Sequence, residues 1–183
     1  MVTILSRSLV DTHIKALADF PGAPEPEETG DTYQENAIIK ARSAAAFCGE
    51  TSLADDAGLE IDALEGAPGV YSKRFGGQDL AFPEKMARIL DLLADVPDEA
   101  RGARFRCFVA LAQPDGETTT LQATCEGRIA RGRSGSGGFG YDPIFYLPEL
   151  GCTMADLTAD QKHRISHRGQ VLREFAEYWN GRA

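Results

Sequence analysis

No run in this 183-residue chain approaches the roughly 20 consecutive apolar residues that cross a bilayer, and the N-terminus has no basic stretch followed by an apolar one. The expectation is a soluble, cytoplasmic protein with no membrane partner. Basic residues are also scarce, with 19 Lys and Arg against 28 Asp and Glu and a formal charge of −9. That balance argues against broad nucleic-acid binding, which needs a basic face. Close cysteine pairs are missing too. Cys48, Cys107, Cys125 and Cys152 lie too far apart for zinc or redox motifs, so they read as reduced, semi-buried packing residues. Repeats and low-complexity tracts are absent, and the Pro/Gly/Glu stretch at 21–30 is too short for an interdomain linker. With 43% hydrophobic and 26% charged residues, the chain reads as one globular folding unit over residues 1–183.

The pattern that is present alternates helix and strand signals. After the 21–30 loop, Asp31 or Thr32 caps a helix carrying Ala37, Ile38, Ala41, Ala44 and Ala45 at helical spacing, and Gly49 stops it. Its small apolar face predicts close packing. A short strand centred on Leu53 is expected to end at Asp55 and Asp56, with Gly58 permitting a turn. A second helix is predicted over 82–94, and two strands over 104–113 and 118–129 flank the turn residues Pro114-Asp115-Gly116, which implies an antiparallel hairpin. A glycine-rich segment at 132–140 leads into Tyr141-Asp142-Pro143-Ile144-Phe145, read as extended. Thr158 with Gln161 forms a capping box for a short helix, and Val171, Leu172, Phe175, Tyr178 and Trp179 give the last helix an apolar stripe.

Three constellations carry chemistry. Glu27, Glu28, Glu35, Asp55 and Asp56 are acids suited to Mg²⁺, a hard cation that takes oxygen ligands and keeps waters for substrate phosphates. One such carboxylate can hold the metal while another orients or deprotonates water; the bland alternative is a set of solvated loop acids. Gly135, Gly137 and Gly140 match G-x-G-x-x-G literally, but no helix signal follows, which removes the dinucleotide-binding reading. Either these glycines let the backbone approach a base that Phe139 or Tyr141 stacks on and Asp142 bonds, or they are a flexible connection. Lys162, His163, Arg164, His167 and Arg168 form a basic cluster in an acidic chain. The two histidines lack the glutamate of a metalloprotease motif, so phosphate or base recognition is the better use, with Arg168 offering a donor fork and Lys162 a point charge.

In order, Glu27-Glu28-Thr29-Gly30, Glu35-Asn36-Ala37, Ala54-Asp55-Asp56-Ala57-Gly58-Leu59, Gly66-Ala67-Pro68-Gly69-Val70-Tyr71-Ser72, residues 137–145 and Ser166-His167-Arg168-Gly169 resemble the inosine triphosphate pyrophosphatase-like family. The resemblance implies an α/β fold with a long mixed central sheet flanked by helices, two lobes around a substrate cleft, and a homodimer. It implies Mg²⁺-dependent hydrolysis of ITP, dITP and XTP to the monophosphate and pyrophosphate. By the same resemblance Asp56 is general base and metal ligand, Glu28 a second metal carboxylate, and Asp55 a support to both. Ala57 stands where substrate is touched and serine is common. Phe139, Gly140, Tyr141 and Asp142 match the base-binding loop, Lys162 a phosphate contact, and His167 with Arg168 the contacts that select the purine 6-oxo group.

The N-terminus departs from that pattern. Family members open with a strand, a Thr/Ser-x-Asn turn and a lysine that bind the triphosphate. Here residues 1–10 read as a remnant of the following helix and 13–20 as the next strand. The alternative places the first strand at 2–5 and the turn at Ser6-Arg7-Ser8. An N-terminally shortened domain brings a rival expectation: a weakly active or inactive nucleotide-binding homodimer.

Overall fold

The computed structural model describes residues 1–182. Its elements are α1 (Val2–Leu5), α2 (Tyr33–Cys48), β1 (Ser52–Ile61), α3 (Phe82–Leu92), β2 (Gly102–Ala112), β3 (Thr118–Ile129), β4 (Phe145–Leu147), β5 (Cys152–Thr153), α4 (Ala159–Ile165) and α5 (His167–Asn180), with short 3-10 turns between them. Thr32 is the cap of α2: its hydroxyl accepts from the Glu35 N–H at 3.1 Å, and the Glu35 carboxylate accepts from the Thr32 N–H at 3.0 Å. Gly49 ends the helix at φ 67°, a conformation that costs glycine nothing. The Thr158 hydroxyl accepts from the Gln161 N–H and starts α4 in the same way.

The strands form one sheet in the order β1-β2-β3-β4-β5. β2 and β3 are neighbours joined through Pro114-Asp115-Gly116, where the Gln113 N–H donates to Glu117 O at 2.9 Å. A connection this short joins only antiparallel strands. β3 and β4 pair antiparallel with Arg128 opposite Tyr146, and β4 and β5 with Tyr146 opposite Thr153.

The chain divides into two compact units. The first holds Met1–Ala57, Cys107–Ala123 and the segment from His167 onward, and the second holds Gly58–Arg106 and Thr124–Ser166. In the first unit the two-residue period of the strands sorts side chains onto two faces. Leu53 and Ala57 join Cys107, Val109, Leu111, Val171, Leu172 and Phe175, the α5 side. Ala54 joins Ala110, Ala112 and the Ala37, Ala41 and Ala45 stripe of α2. The second unit is built on Leu59, Ile61, Met86, Ile89, Phe105, Ile129, Ile144 and Phe145.

Four local expectations are corrected. Gly58 makes no turn: β1 runs on to Ile61 because Leu59 and Ile61 are fully buried, so Asp55 and Asp56 lie within the strand and not at its end. Residues 13–20 form no strand. Asp19 accepts the Ala16 N–H at 2.9 Å and holds Leu17–Asp19 in a 3-10 turn, a local side-chain bond that competes with extended structure. Residues 2–5 are helical, so the alternative first strand does not form there, and the Ser6 and Ser8 hydroxyls donate to Val2 O and Ile4 O. Asp142–Ile144 is a 3-10 turn before β4, where an extended run was expected. All four cysteines are free thiols, with Cys107 and Cys125 buried.

Candidate active site

In the first unit, the loop bearing Glu28 is fixed to the start of α2. The Gly30 N–H donates to Asn36 Oδ1 at 2.8 Å, and Gly30 is packed so closely that a Cβ there would lie 2.6 Å from the Glu35 Cβ. This brings Glu28 toward Lys40, on the next turn of α2 after Asn36. The Lys40 ammonium donates to Glu28 Oε1 at 2.9 Å and to Asp56 Oδ1 at 2.8 Å. Burial pulls the Lys40 pKa down, but the bonds to Asp56 and Glu28 outweigh it and hold the group above its ordinary value. Burial also pushes the Asp56 carboxyl up, and the bond from Lys40 does not cancel that because Glu28 and Asp55 add their own negative charge. Two carboxylates thus share one cation in a partly desolvated site. Such a site favours additional positive charge.

Asp55 lies on the other side of β1. Its Oδ2 accepts from Arg168 Nε at 2.8 Å and Nη2 at 2.6 Å, and the Cys107 thiol lies 3.8 Å away. Burial pushes that thiol far up, so it remains protonated. Arg168 and His167 open α5, and His167 is buried. Ala57 packs on the same side.

The second unit orders the aromatic loop. Tyr141 is buried and its hydroxyl donates to Ser72 O at 2.9 Å, while the Ser72 hydroxyl accepts from the Leu59 N–H. Burial raises the Tyr141 pKa well above 10. Asp142 is buried and accepts from the Phe139 N–H and from the Lys162 ammonium. Lys162 also stands 4.2 Å from the Phe139 ring centroid. Phe139 itself is 63% exposed. Gly138 is required here: its φ is 71° and a Cβ would fall 2.0 Å from the Asp142 carboxylate. Gly140 follows at φ 65°.

Residues 2–178 match the sequence pattern of the Ham1 family. The chain belongs to the Ham1 family. It is 50% identical over 167 residues to a dITP/XTP pyrophosphatase of Desulforamulus reducens, covering 91% of this chain and 83% of that protein. A dITP/XTP pyrophosphatase of Exiguobacterium sibiricum is 51% identical over 162 residues, 88% of this chain and 82% of its own. Among solved structures, a HAM1 protein from Coxiella burnetii matches with a TM-score of 0.90 and 41% identity, covering 98% of this chain and 93% of that one.

In this Ham1-family chain the sequence-predicted residues divide into three groups. Glu28 and Asp56 are brought together through Lys40, whereas Asp55 is turned toward Arg168. Phe139 is the exposed ring of the loop, whereas Tyr141 and Asp142 hold the loop in place, and Lys162 is engaged by Asp142 and the Phe139 ring. Glu35 caps α2 and stands outside the acid cluster. Sequence reasoning missed Lys40. A signal existed: Lys40 precedes Ala41 on a helix face of alanines, and a charge bordering a buried stripe implies a partner across it.

Proposed function

We propose that the chain hydrolyses non-standard purine nucleoside triphosphates, ITP, dITP and XTP among them, to the monophosphate and pyrophosphate. The observation that carries the reading is the Glu28–Lys40–Asp56 cluster in a Ham1-family chain. Water adds to the α-phosphorus, the bond to the bridging oxygen of the leaving pyrophosphate breaks, and the water proton passes to Asp56. A buried carboxylate with a raised pKa is a better base than a solvated one. Lys40 holds the two carboxylates together and offers a point charge to phosphate oxygens. The donor set suits Mg²⁺: two carboxylates with excess negative charge leave room for water and phosphate oxygens. Glu28 and Asp56 would hold the ion, which would neutralise phosphate charge. In the second unit the exposed Phe139 ring offers a stacking face for a base, and in the first Arg168 offers donors for a purine 6-oxo group, where adenine presents an amino donor instead. The assembly is a homodimer, and the enzyme works in the cytoplasm.

The test is the product. Mg²⁺-dependent release of pyrophosphate from ITP, with ATP much poorer, is expected; orthophosphate as the sole product or equal turnover of ATP would overturn the reading. A second reading, a weakly active nucleotide-binding homodimer, rests on a cleft of about 840 Å³ in the first unit. It is lined by Ser52 to Asp55 of β1, Lys40 and residues 12–18 among others, beside a strand that ends the sheet order. Lys15 is bound to Glu50 at 2.6 Å in this state. A kcat/KM on ITP far below the ordinary enzyme range of about 10⁴–10⁸ M⁻¹s⁻¹ would favour this second reading.

A further inference from the structure

We propose that Asp55 is a positioning residue for Arg168, orienting the guanidinium for the purine and itself holding neither the metal nor the attacking water. The proposal rests on the reading of Arg168 as the 6-oxo contact. Adjacent residues of an extended strand project to opposite faces, and the packing of β1 shows which face each takes. Ala54 lies with α2, and Leu53 and Ala57 lie with α5. Asp56 therefore meets Lys40 of α2 at 2.8 Å, while Asp55 meets Arg168 of α5. Two guanidinium N–H groups, Nε and Nη2, converge on the single oxygen Oδ2 at 2.8 and 2.6 Å. Anchoring that edge fixes the plane of the guanidinium, and with it the direction of the remaining fork.

The location makes the anchor necessary. Arg168 is in the first turn of α5, where the helix dipole disfavours a cation. Side chains of Arg, unanchored, also lose rotamer entropy on binding. Asp55 supplies the compensating anion, and the Cys107 thiol at 3.8 Å from the same oxygen keeps that side of the carboxylate away from water. The two neighbouring acids thus divide selection from chemistry, one on each face of a single strand.

The test compares kcat/KM for ITP and ATP, and the Mg²⁺ concentration giving half-maximal rate, in Asp55→Asn, Arg168→Ala and the double variant. Each single substitution is expected to lower the ITP/ATP ratio roughly ten- to a hundredfold, the range of one charge-assisted contact. The double variant should be no worse than Arg168→Ala, with the Mg²⁺ requirement unmoved in all three. Asp55→Glu, which keeps the charge but displaces it, should give an intermediate ratio, and it carries the test alone if Asp55→Asn does not fold. A raised Mg²⁺ requirement with an intact ratio in the Asp55 variants would place Asp55 in the hydrolytic machinery and overturn the proposal. An altered ratio in Arg168→Ala with none in the Asp55 variants would overturn the proposal alone. An unaltered ratio in Arg168→Ala would remove the base-selective role of Arg168, and the proposal with it.

Discussion

At the residue scale, the candidate site turns on Lys40, the cation that Glu28 and Asp56 share. Asp56→Asn removes charge and basicity without leaving a cavity, so kcat should fall roughly 10²- to 10⁴-fold while affinity for the metal-free nucleotide, measured calorimetrically, falls far less. The pH dependence follows from the raised Asp56 pKa. A base acts only when deprotonated, so kcat/KM should rise as pH passes through a value above the 3.8 usual for aspartate. Lys40 is what keeps that value from rising further, and Lys40→Met should move the acid limb of the pH profile to higher pH. The profiles of the two proteins check this, and coincident limbs would remove Lys40 from the electrostatics of Asp56. For stability the sign is opposite: the contribution of a group with a raised folded pKa is present below 3.8 and is lost as pH rises through the folded value.

At the element scale, capping and clamping hold the site-bearing segments. Thr32→Ala removes a helix cap and half of a reciprocal box, and should cost about 1 kcal/mol in denaturant unfolding. Arg101 is a stronger case within the second unit. It is buried, and its guanidinium donates to Leu93 O at 2.5 Å, Ile129 O at 2.8 Å and Ala130 O at 2.9 Å, tying the end of α3 to the end of β3. Burial lowers its pKa, yet an arginine stays charged. Arg101→Ala removes a buried guanidinium and its bonds to the Leu93, Ile129 and Ala130 carbonyls, and should cost about 3–5 kcal/mol by urea unfolding; a loss under 1 kcal/mol would mean that water replaces the side chain. In the aromatic loop, Gly138→Ala must displace Asp142 and with it the anchor of Phe139 and Lys162. The expected readout is a raised KM for ITP with little change in melting temperature.

At the scale of the whole molecule, a cation that binds the folded acid cluster stabilises the fold by mass action. Mg²⁺ should raise the melting temperature of the wild type and not of Glu28→Gln or Asp56→Asn, independently of any turnover. Equal shifts in all three would place the ion elsewhere. Much of this protein is written locally. The Thr32 and Thr158 boxes, the Gly49 stop, the Pro114-Asp115-Gly116 turn and the apolar stripe of α5 depend on residues within a few positions of one another, and motif order was sufficient to indicate the family. Burial decided what local signals misjudged. Gly58 permits a turn, but Leu59 and Ile61 beyond it carry the strand into a core. The sequence by itself determined the family, the Thr32 and Thr158 caps, the Gly49 stop and the turn at Pro114-Asp115-Gly116. Only the tertiary structure decided which partner each acid meets: Asp55 and Asp56 are neighbours in the chain, but the strand turns them to opposite faces, one toward Lys40 on α2 and the other toward Arg168, 113 residues away in sequence.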